Sequence, residues 1–386
     1  MLSNRLPASL EPNAIARALD ELRSGGVRVV DLTDANPTHV GLDYPPELLA
    51  PLAHPRGLSY DPQPFGLRAA REAVAADART RGAAVDAERV VLTASTSEAY
   101  SWLFKVLCDP GACVLVPRPS YPLFEHLTRL EGLRTAAYDL EYHRRWEIDF
   151  ATVAAAPRET KALIVVSPNN PTGSYVSPSE IGRLSEICRD RGWALIADEV
   201  FAEYALDEET PTTDLAATDA EVLTFTLGGA SKSLGLPQLK LAWLIAGGPE
   251  AERQAALAAL EIVADTFLSV GTPIQASTSD LMTAARSVRD AIRQRVRGNL
   301  RCLRQLSGGF PASEVLRVEG GWSAVIRVPS RSSEEQLVLE LLRQHHVLVH
   351  PGYFFDFPRE SYLVVSLLVA PDVFAEAIIR VLRFVS

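Results

Sequence analysis

Between residues 88 and 247, short apolar runs alternate with longer stretches of helical periodicity. Val90–Thr93, Val114–Pro117, Leu163–Ser167, Ala194–Ala197, Val222–Leu227 and Leu241–Ala246 are short, rich in branched side chains and bounded by turn residues, which predicts strands. Between them, Ser97–Cys108, Tyr121–Glu131 and Pro178–Arg191 repeat apolar residues at three- and four-residue steps, which predicts helices. Strands that are apolar at nearly every position need cover on both faces. The pattern therefore implies an α/β fold, a mostly parallel sheet between layers of helices. Ligands of such sheets bind beyond the carboxyl ends of the strands, so the loops that follow these runs are where chemistry is expected.

The flanks read differently. Leu10–Ser24 is a helix pattern that stops at Gly25 and Gly26. From about residue 271 an arginine-rich helical pattern runs to Leu306. A strand around Ser323–Val328, a helix over Glu334–His345 and strands at Val347–His350 and Tyr362–Leu367 follow. The two ends predict a smaller α+β domain (1–46 with 271–386) beside a large domain over 47–270, with no internal repeat.

Composition narrows the function. The 386 residues are 47% hydrophobic and 22% charged, with 23 Gly and 26 Pro, which excludes disordered and fibrous classes. A net charge of -10 without a basic tract argues against nucleic acid or an anionic membrane as partner. Met1–Leu10 lacks the apolar centre of a signal peptide, and no run of 18 apolar residues could span a bilayer. Cys108, Cys113, Cys188 and Cys302 are scattered and show no metal-ligand spacing. They read as buried thiols of a reducing cytoplasm, and no metal is expected. Only Lys105, Lys161, Lys232 and Lys240 are lysines, the other 34 of the 38 basic residues being arginine. Chemistry that needs a primary amine has four candidates.

Four motifs directly follow predicted strands. Ser167–Gly173 (Ser-Pro-Asn-Asn-Pro-Thr-Gly) builds a rigid turn carrying two side-chain amides, or is simply a tight loop. Asp198, in Ala197–Phe201, puts a carboxylate at a buried strand end, a costly place unless a cation or a helix cap answers it. Lys232 lies among small residues in Leu227–Lys240, where desolvation can lower its pKa and free an amine for Schiff-base chemistry; the ordinary alternative is a surface lysine. Thr93–Ala99 opens a helix with the Ser95/Glu98 spacing of a capping box, at a terminus suited to phosphate.

In combination the order is a phosphate-type helix start, the aromatic Tyr121 in Ser120–Pro122, Asn-Pro-Thr-Gly, Asp198, then Lys232 with Lys240 eight residues on. This resembles the pyridoxal-phosphate-dependent enzymes of fold type I, in particular the class I/II aminotransferases of the aspartate aminotransferase superfamily, over nearly the whole chain. The resemblance implies pyridoxal 5′-phosphate as cofactor, an amino donor and a keto acceptor as substrates, and a homodimer with shared sites. It makes Lys232 similar to the Schiff-base lysine and proton shuttle, and Asp198 to the acid that keeps the ring nitrogen protonated. Asn170 looks like the residue on the phenolate oxygen, Tyr121 like the stacking aromatic, and Thr96, Ser97 and Ser231 like phosphate ligands. Tyr60 resembles a tyrosine that reaches a neighbouring subunit's phosphate, and Asn36, in Asn36–Thr38, resembles part of a loop over the substrate, or is simply a plain turn.

Several positions depart from the family pattern. Phe201 stands where a tyrosine usually donates to the phenolate, so the Schiff base is expected to keep its proton to higher pH. Lys240 replaces an arginine on the phosphate and loses its two-pronged geometry. Gly229 replaces a hydroxyl residue three positions before the lysine. Val364, in Tyr362–Leu368, falls where the family has the arginine that grips the substrate carboxylate. Arg5, Arg327 or Arg359 could replace it, the substrate could lack that carboxylate, or the register could differ. Tyr353, Phe354, Phe355 and Phe357 precede that strand as either an apolar substrate wall or core, and His350 as a structural histidine. The expected activity is ping-pong transamination. A lyase, decarboxylase or racemase on the same fold is the first alternative, and a cofactor-sensing regulator the second, disfavoured by the acidic chain.

Overall fold

The computed structural model describes residues 3–7, 9–206, 215, 221–359 and 361–386; positions 1, 2 and 8 of the Met1–Leu10 stretch lie outside them. Its centre is an eight-stranded sheet. Across the sheet the order is Val90–Thr93, Ala242–Gly247, Thr224–Gly229, Ala194–Asp198, Thr160–Val166, Cys113–Arg118, Arg134–Tyr142 and Trp146–Ile148. The middle five strands pair in parallel, and antiparallel pairs close both edges. The expected mostly parallel sheet is therefore present, with two strands that the apolar pattern missed. Arg134–Tyr142 and Trp146–Ile148 lie at one edge, and the longer is buried only at Tyr138 and Leu140, so neither forms a continuous apolar run.

Successive residues of the central strands feed opposite cores. Ile164, Val166 and Ile196 pack on one face with Leu103, Phe104 and Phe225; Leu163, Val165 and Leu195 pack on the other with Leu184 and Trp193. Helices Thr96–Leu107 and Glu250–Phe267 cover the first face and Pro178–Arg191 the second. Pro178–Arg191 opens with a full capping box between Ser177 and Glu180. At Thr96–Leu107 the expected box is modified: Ser95 accepts from the Glu98 N–H, while the Glu98 carboxylate reaches one residue further back to the Ala94 N–H.

The arginine-rich stretch is three helices, not one. Thr272–Ala276, Thr278–Ala284 and Arg286–Ser307 are separated at Ser277 and Ala285. The longest buries Val288, Ile292, Val296, Leu300 and Leu303 along one stripe. The N-terminal helix is Ala14–Ser24, four residues shorter than predicted because Asn13 caps it. Beyond residue 310 a four-stranded antiparallel sheet is ordered Glu314–Val315, Ser323–Arg327, Tyr362–Ser366, His350–Pro351. Val347–Leu348 pairs separately with Val30–Asp31, which ties the two ends of the chain together. Cys113 and Cys188 are buried, as expected, whereas Cys108 and Cys302 are only half-buried; all four are free. No described helix is long and apolar enough to cross a membrane, and no metal-binding cluster occurs among the described residues.

Candidate active site

Strand register brings the four motifs to one edge of the central sheet. Val166 pairs with Asp198 and Asp198 with Leu227; Gly229 pairs with Ala242, which pairs with Thr93. The segments after Val166, Asp198, Gly229 and Thr93 therefore leave the sheet side by side. They surround a cavity of about 260 Å³. Thr96, Ser97, Tyr121, Asn170, Asp198, Phe201, Ser231 and Lys232 all line it.

Each side chain is aimed by its local backbone. Asp198 shares the strand face of Ile196, so it points toward helix Thr96–Leu107 rather than the opposite core. There Tyr100 Oη donates to Asp198 Oδ2 (2.9 Å), and the Val200 N–H donates to Oδ1 (3.2 Å). Burial pushes the Asp198 carboxyl up to about 6, against the Val200 and Tyr100 hydrogen bonds and the Lys232 charge. Lys232 sits in the short helix Ala230–Ser233, whose backbone is fixed by Tyr204 Oη donating to the Lys232 carbonyl (2.7 Å). Its Nζ lies 4.9 Å from the Trp322 ring centre and 5.5 Å from that of Phe201. Apolar surroundings push this amine down to about 8, with the Asp198 charge opposing the shift.

The two asparagines of the Ser167–Gly173 turn divide their work. Asn169 is buried and holds the loop, accepting from Ser120 Oγ and donating to the Pro119 carbonyl and Thr172 Oγ1. Asn170 faces the cavity; its Oδ1 accepts from Ser323 Oγ (3.3 Å), which leaves its amide nitrogen as a donor. Gly173 makes this arrangement possible. At φ +70°, with the Gly320 carbonyl oxygen 2.6 Å from where a Cβ would lie, it lets segment 318–323 dock on the turn. The Glu319 and Gly320 N–H groups both donate to the Gly173 carbonyl. Trp322 and Ser323 reach the cavity by that clasp.

Five expected positions lie elsewhere. Tyr60 and Lys240 are exposed and outside the cavity lining. Asn36 bonds within its own loop, accepting from the Thr38 N–H and hydroxyl, although its neighbour Ala35 lines the cavity. The Tyr353 N–H donates to the buried carboxylate of Glu334. Val364 pairs with Val325 and His350 and packs in the core with Leu115, Tyr138, Phe355 and Phe357. Phe355 and Phe357 are thus core, as their ordinary reading had it. The arginines considered as replacements are also engaged away from the site or exposed. Arg5 donates to the Leu130 carbonyl, Arg327 pairs with Glu314, and Arg359 is exposed. Lys232 is the one cation among the cavity-lining residues.

The sequence reading missed Tyr100, Trp322 and Ser323. Tyr100 follows Thr96 by one helical turn on the same face, a spacing that could have drawn attention to it. Trp322 follows two glycines with no motif to mark it.

Comparison with known proteins identifies the family. The sequence profile of the family "Aminotransferase class I and II" matches residues 52–377. A glutamate-pyruvate aminotransferase of Haemophilus influenzae is 26% identical over 382 residues, covering 95% of this chain and 92% of that protein. An alanine aminotransferase of Mycobacterium bovis is 28% identical, covering 94% and 87%. Among solved structures, an alanine aminotransferase from Pyrococcus furiosus superposes with a TM-score of 0.88 at 23% identity, covering 100% of this chain and 99% of that one. At that identity it supports the fold alone.

Proposed function

The chain belongs to the class I and II aminotransferase family and is an enzyme that transfers amino groups; from that premise we propose that it does so with pyridoxal 5′-phosphate, passing the amino group of an amino acid to a keto acid. The residues at the cavity fit that cofactor. A buried carboxylate matches a ring nitrogen, a depressed lysine amine matches an aldehyde, and Asn170 offers a donor for a phenolate oxygen. The helix start at Thr96 and Ser97, with Ser231, offers backbone N–H groups and hydroxyls for a phosphate. The half-exposed Tyr121 ring forms one wall. When bound, the group supplies an aldehyde that condenses with primary amines and a ring that accepts the electron pair released at the adjacent carbon.

The chain's own residues do the rest. Asp198 holds a negative charge at the deep end of the cavity and favours a protonated ring nitrogen. Lys232, neutral near its depressed pKa, takes a proton from the substrate carbon and returns it one position along. Phe201 and Trp322 keep that amine in apolar surroundings, so it does not revert to a hydrated ammonium. Lys240, and Tyr60 from a second copy, complete the phosphate site in this reading, within a cytoplasmic homodimer whose cofactor-bearing part is residues 47–270 and whose smaller part is 1–46 with 271–386.

The observation that carries the proposal is the convergence of Lys232, Asp198 and Asn170 on one cavity from three separate strand ends. Purified protein supplied with the cofactor should absorb in the visible range, and borohydride should fix the label on Lys232. Single-turnover incubation with an amino-acid panel should yield keto acid. Colourless, unlabelled protein would overturn the cofactor assignment, and CO2 release in place of keto acid the transamination.

A further inference from the structure

The Tyr100 hydroxyl has no place in the roles assigned so far, yet it meets the acid of the site directly. We propose that Tyr100 is a positioning residue for the amino-transfer reaction, holding the Asp198 carboxylate ionised and oriented by donating a hydrogen bond to Oδ2. The inference rests on the cofactor reading above.

The geometry is specific. Tyr100 is buried, its ring stands edge-on to Phe124 with centres 5.5 Å apart, and Phe104 lies 5.9 Å away on the next turn. Those contacts leave the phenol little freedom and aim its oxygen at Asp198, 2.9 Å distant. The carboxylate then has one donor on each oxygen, Tyr100 on Oδ2 and the Val200 N–H on Oδ1.

The need for this bond follows from the electrostatics around the acid. Burial favours the neutral carboxyl, which could not hold a ring nitrogen cationic. Three groups oppose that: the Val200 N–H, Tyr100 and the Lys232 ammonium. The lysine's help is lost whenever its amine is neutral, the form in which it acts as a base. Tyr100 and the backbone donor remain. Burial and the adjacent carboxylate, with Tyr138 behind it, push the Tyr100 phenol well above its ordinary range, so it stays a donor throughout. Tyr121, the other titratable group near Asp198, is likewise raised and neutral. A neutral donor stabilises the carboxylate without cancelling the charge that the ring nitrogen requires; an arginine or lysine here would cancel it.

Tyr100→Phe removes one oxygen and keeps the ring packing. The acid limb of the kcat/KM profile should move up by about one pH unit, the size expected for a lost hydrogen bond to a charged group. A readout independent of turnover is cofactor affinity, measured by quenching of tryptophan fluorescence on titrating cofactor-free protein. The variant should bind pyridoxal 5′-phosphate about threefold more weakly near pH 6.5 and close to normally at pH 8.5. Substituting 3-fluorotyrosine at position 100 retains the fold and strengthens the donor, and should move the limb the opposite way. An unmoved limb, or weakening by the same factor at every pH, would reduce Tyr100 to a packing residue and overturn the proposal. Failure of the wild-type protein to bind the cofactor would instead overturn the cofactor reading.

Discussion

Lys232 offers the sharpest quantitative test, because its depressed pKa governs both reactivity and stability. With the amine at about 8 rather than 10.5, about one molecule in eleven carries a free amine at pH 7, against about one in three thousand for an ordinary lysine. The reactive fraction is therefore enriched about 300-fold at neutral pH. The advantage disappears as pH rises, since Lys232 is saturated above about 8 while an ordinary amine keeps gaining tenfold per unit. Cofactor-free protein should be labelled with trace formaldehyde and cyanoborohydride, with a lysine model amide in the same tube and Lys232 quantified by peptide mass spectrometry. The Lys232-to-model ratio should be flat below pH 7 and fall about tenfold per unit between 8.5 and 10. The same shift has a thermodynamic side. Between pH 8 and 10.5 the unfolded chain binds a proton at this site that the folded chain has shed, so stability contributed by this group rises with pH across that window. The 2.5-unit difference corresponds to about 3 kcal/mol. Relative to Lys232→Met, wild-type protein should gain up to that amount in chemical unfolding between the two pH values. A labelling ratio constant from pH 7 to 10, with parallel stability curves, would refute the claim that burial tunes this amine.

Three further substitutions test the surrounding architecture. Asp198→Asn keeps the shape and a partner for Tyr100 but removes the charge; transamination should fall on the order of a hundredfold or more while borohydride still marks Lys232, and retained activity would deny the acid its role. Gly173→Ala places a Cβ 2.6 Å from the Gly320 carbonyl oxygen and 2.7 Å from Val318 at positive φ; unfolding should become easier by about 1–3 kcal/mol, and an unchanged melting temperature would show that the clasp between the Asn170 turn and Trp322 carries no strain. Val364→Arg would bury a charge beside Leu115 and Phe355, with a loss of about 3–5 kcal/mol; a stable variant that gains affinity for carboxylate substrates would place Val364 in the site after all.

Which residues were legible in the sequence, and which were not, has a common physical cause. Asp198 ends, and Asn170 and Lys232 closely follow, strands built mostly of apolar or small residues. Such a strand must lie in the sheet interior, and the residue just past its carboxyl end must emerge at the ligand edge. Backbone topology alone therefore places these side chains, and local sequence encodes that topology. Tyr100, Trp322 and Ser323 reach the same cavity differently. Tyr100 meets an acid 98 residues further along, and Trp322 arrives because Gly173 admits the Gly320 backbone. Nothing near them in sequence records those partners, and buried aromatic rings read as core. Val364 fails in the opposite direction. Motif position suggested a site residue, but its pairing with Val325 and His350 turns it into the core shared with Phe355 and Phe357. The two edge strands escaped for a related reason: one solvated face breaks the apolar run that identifies their neighbours. The same distinction bears on specificity. The groups proposed to carry amino transfer sit on sheet ends fixed by the fold. Apart from Asn170, Asp198 and Lys232, the cavity lining is apolar or hydroxylic and comes in part from segment 318–323. Substitutions in that segment should change which substrate is accepted while leaving the borohydride label on Lys232, and a panel of amino donors tested on Ser323→Ala separates those two outcomes.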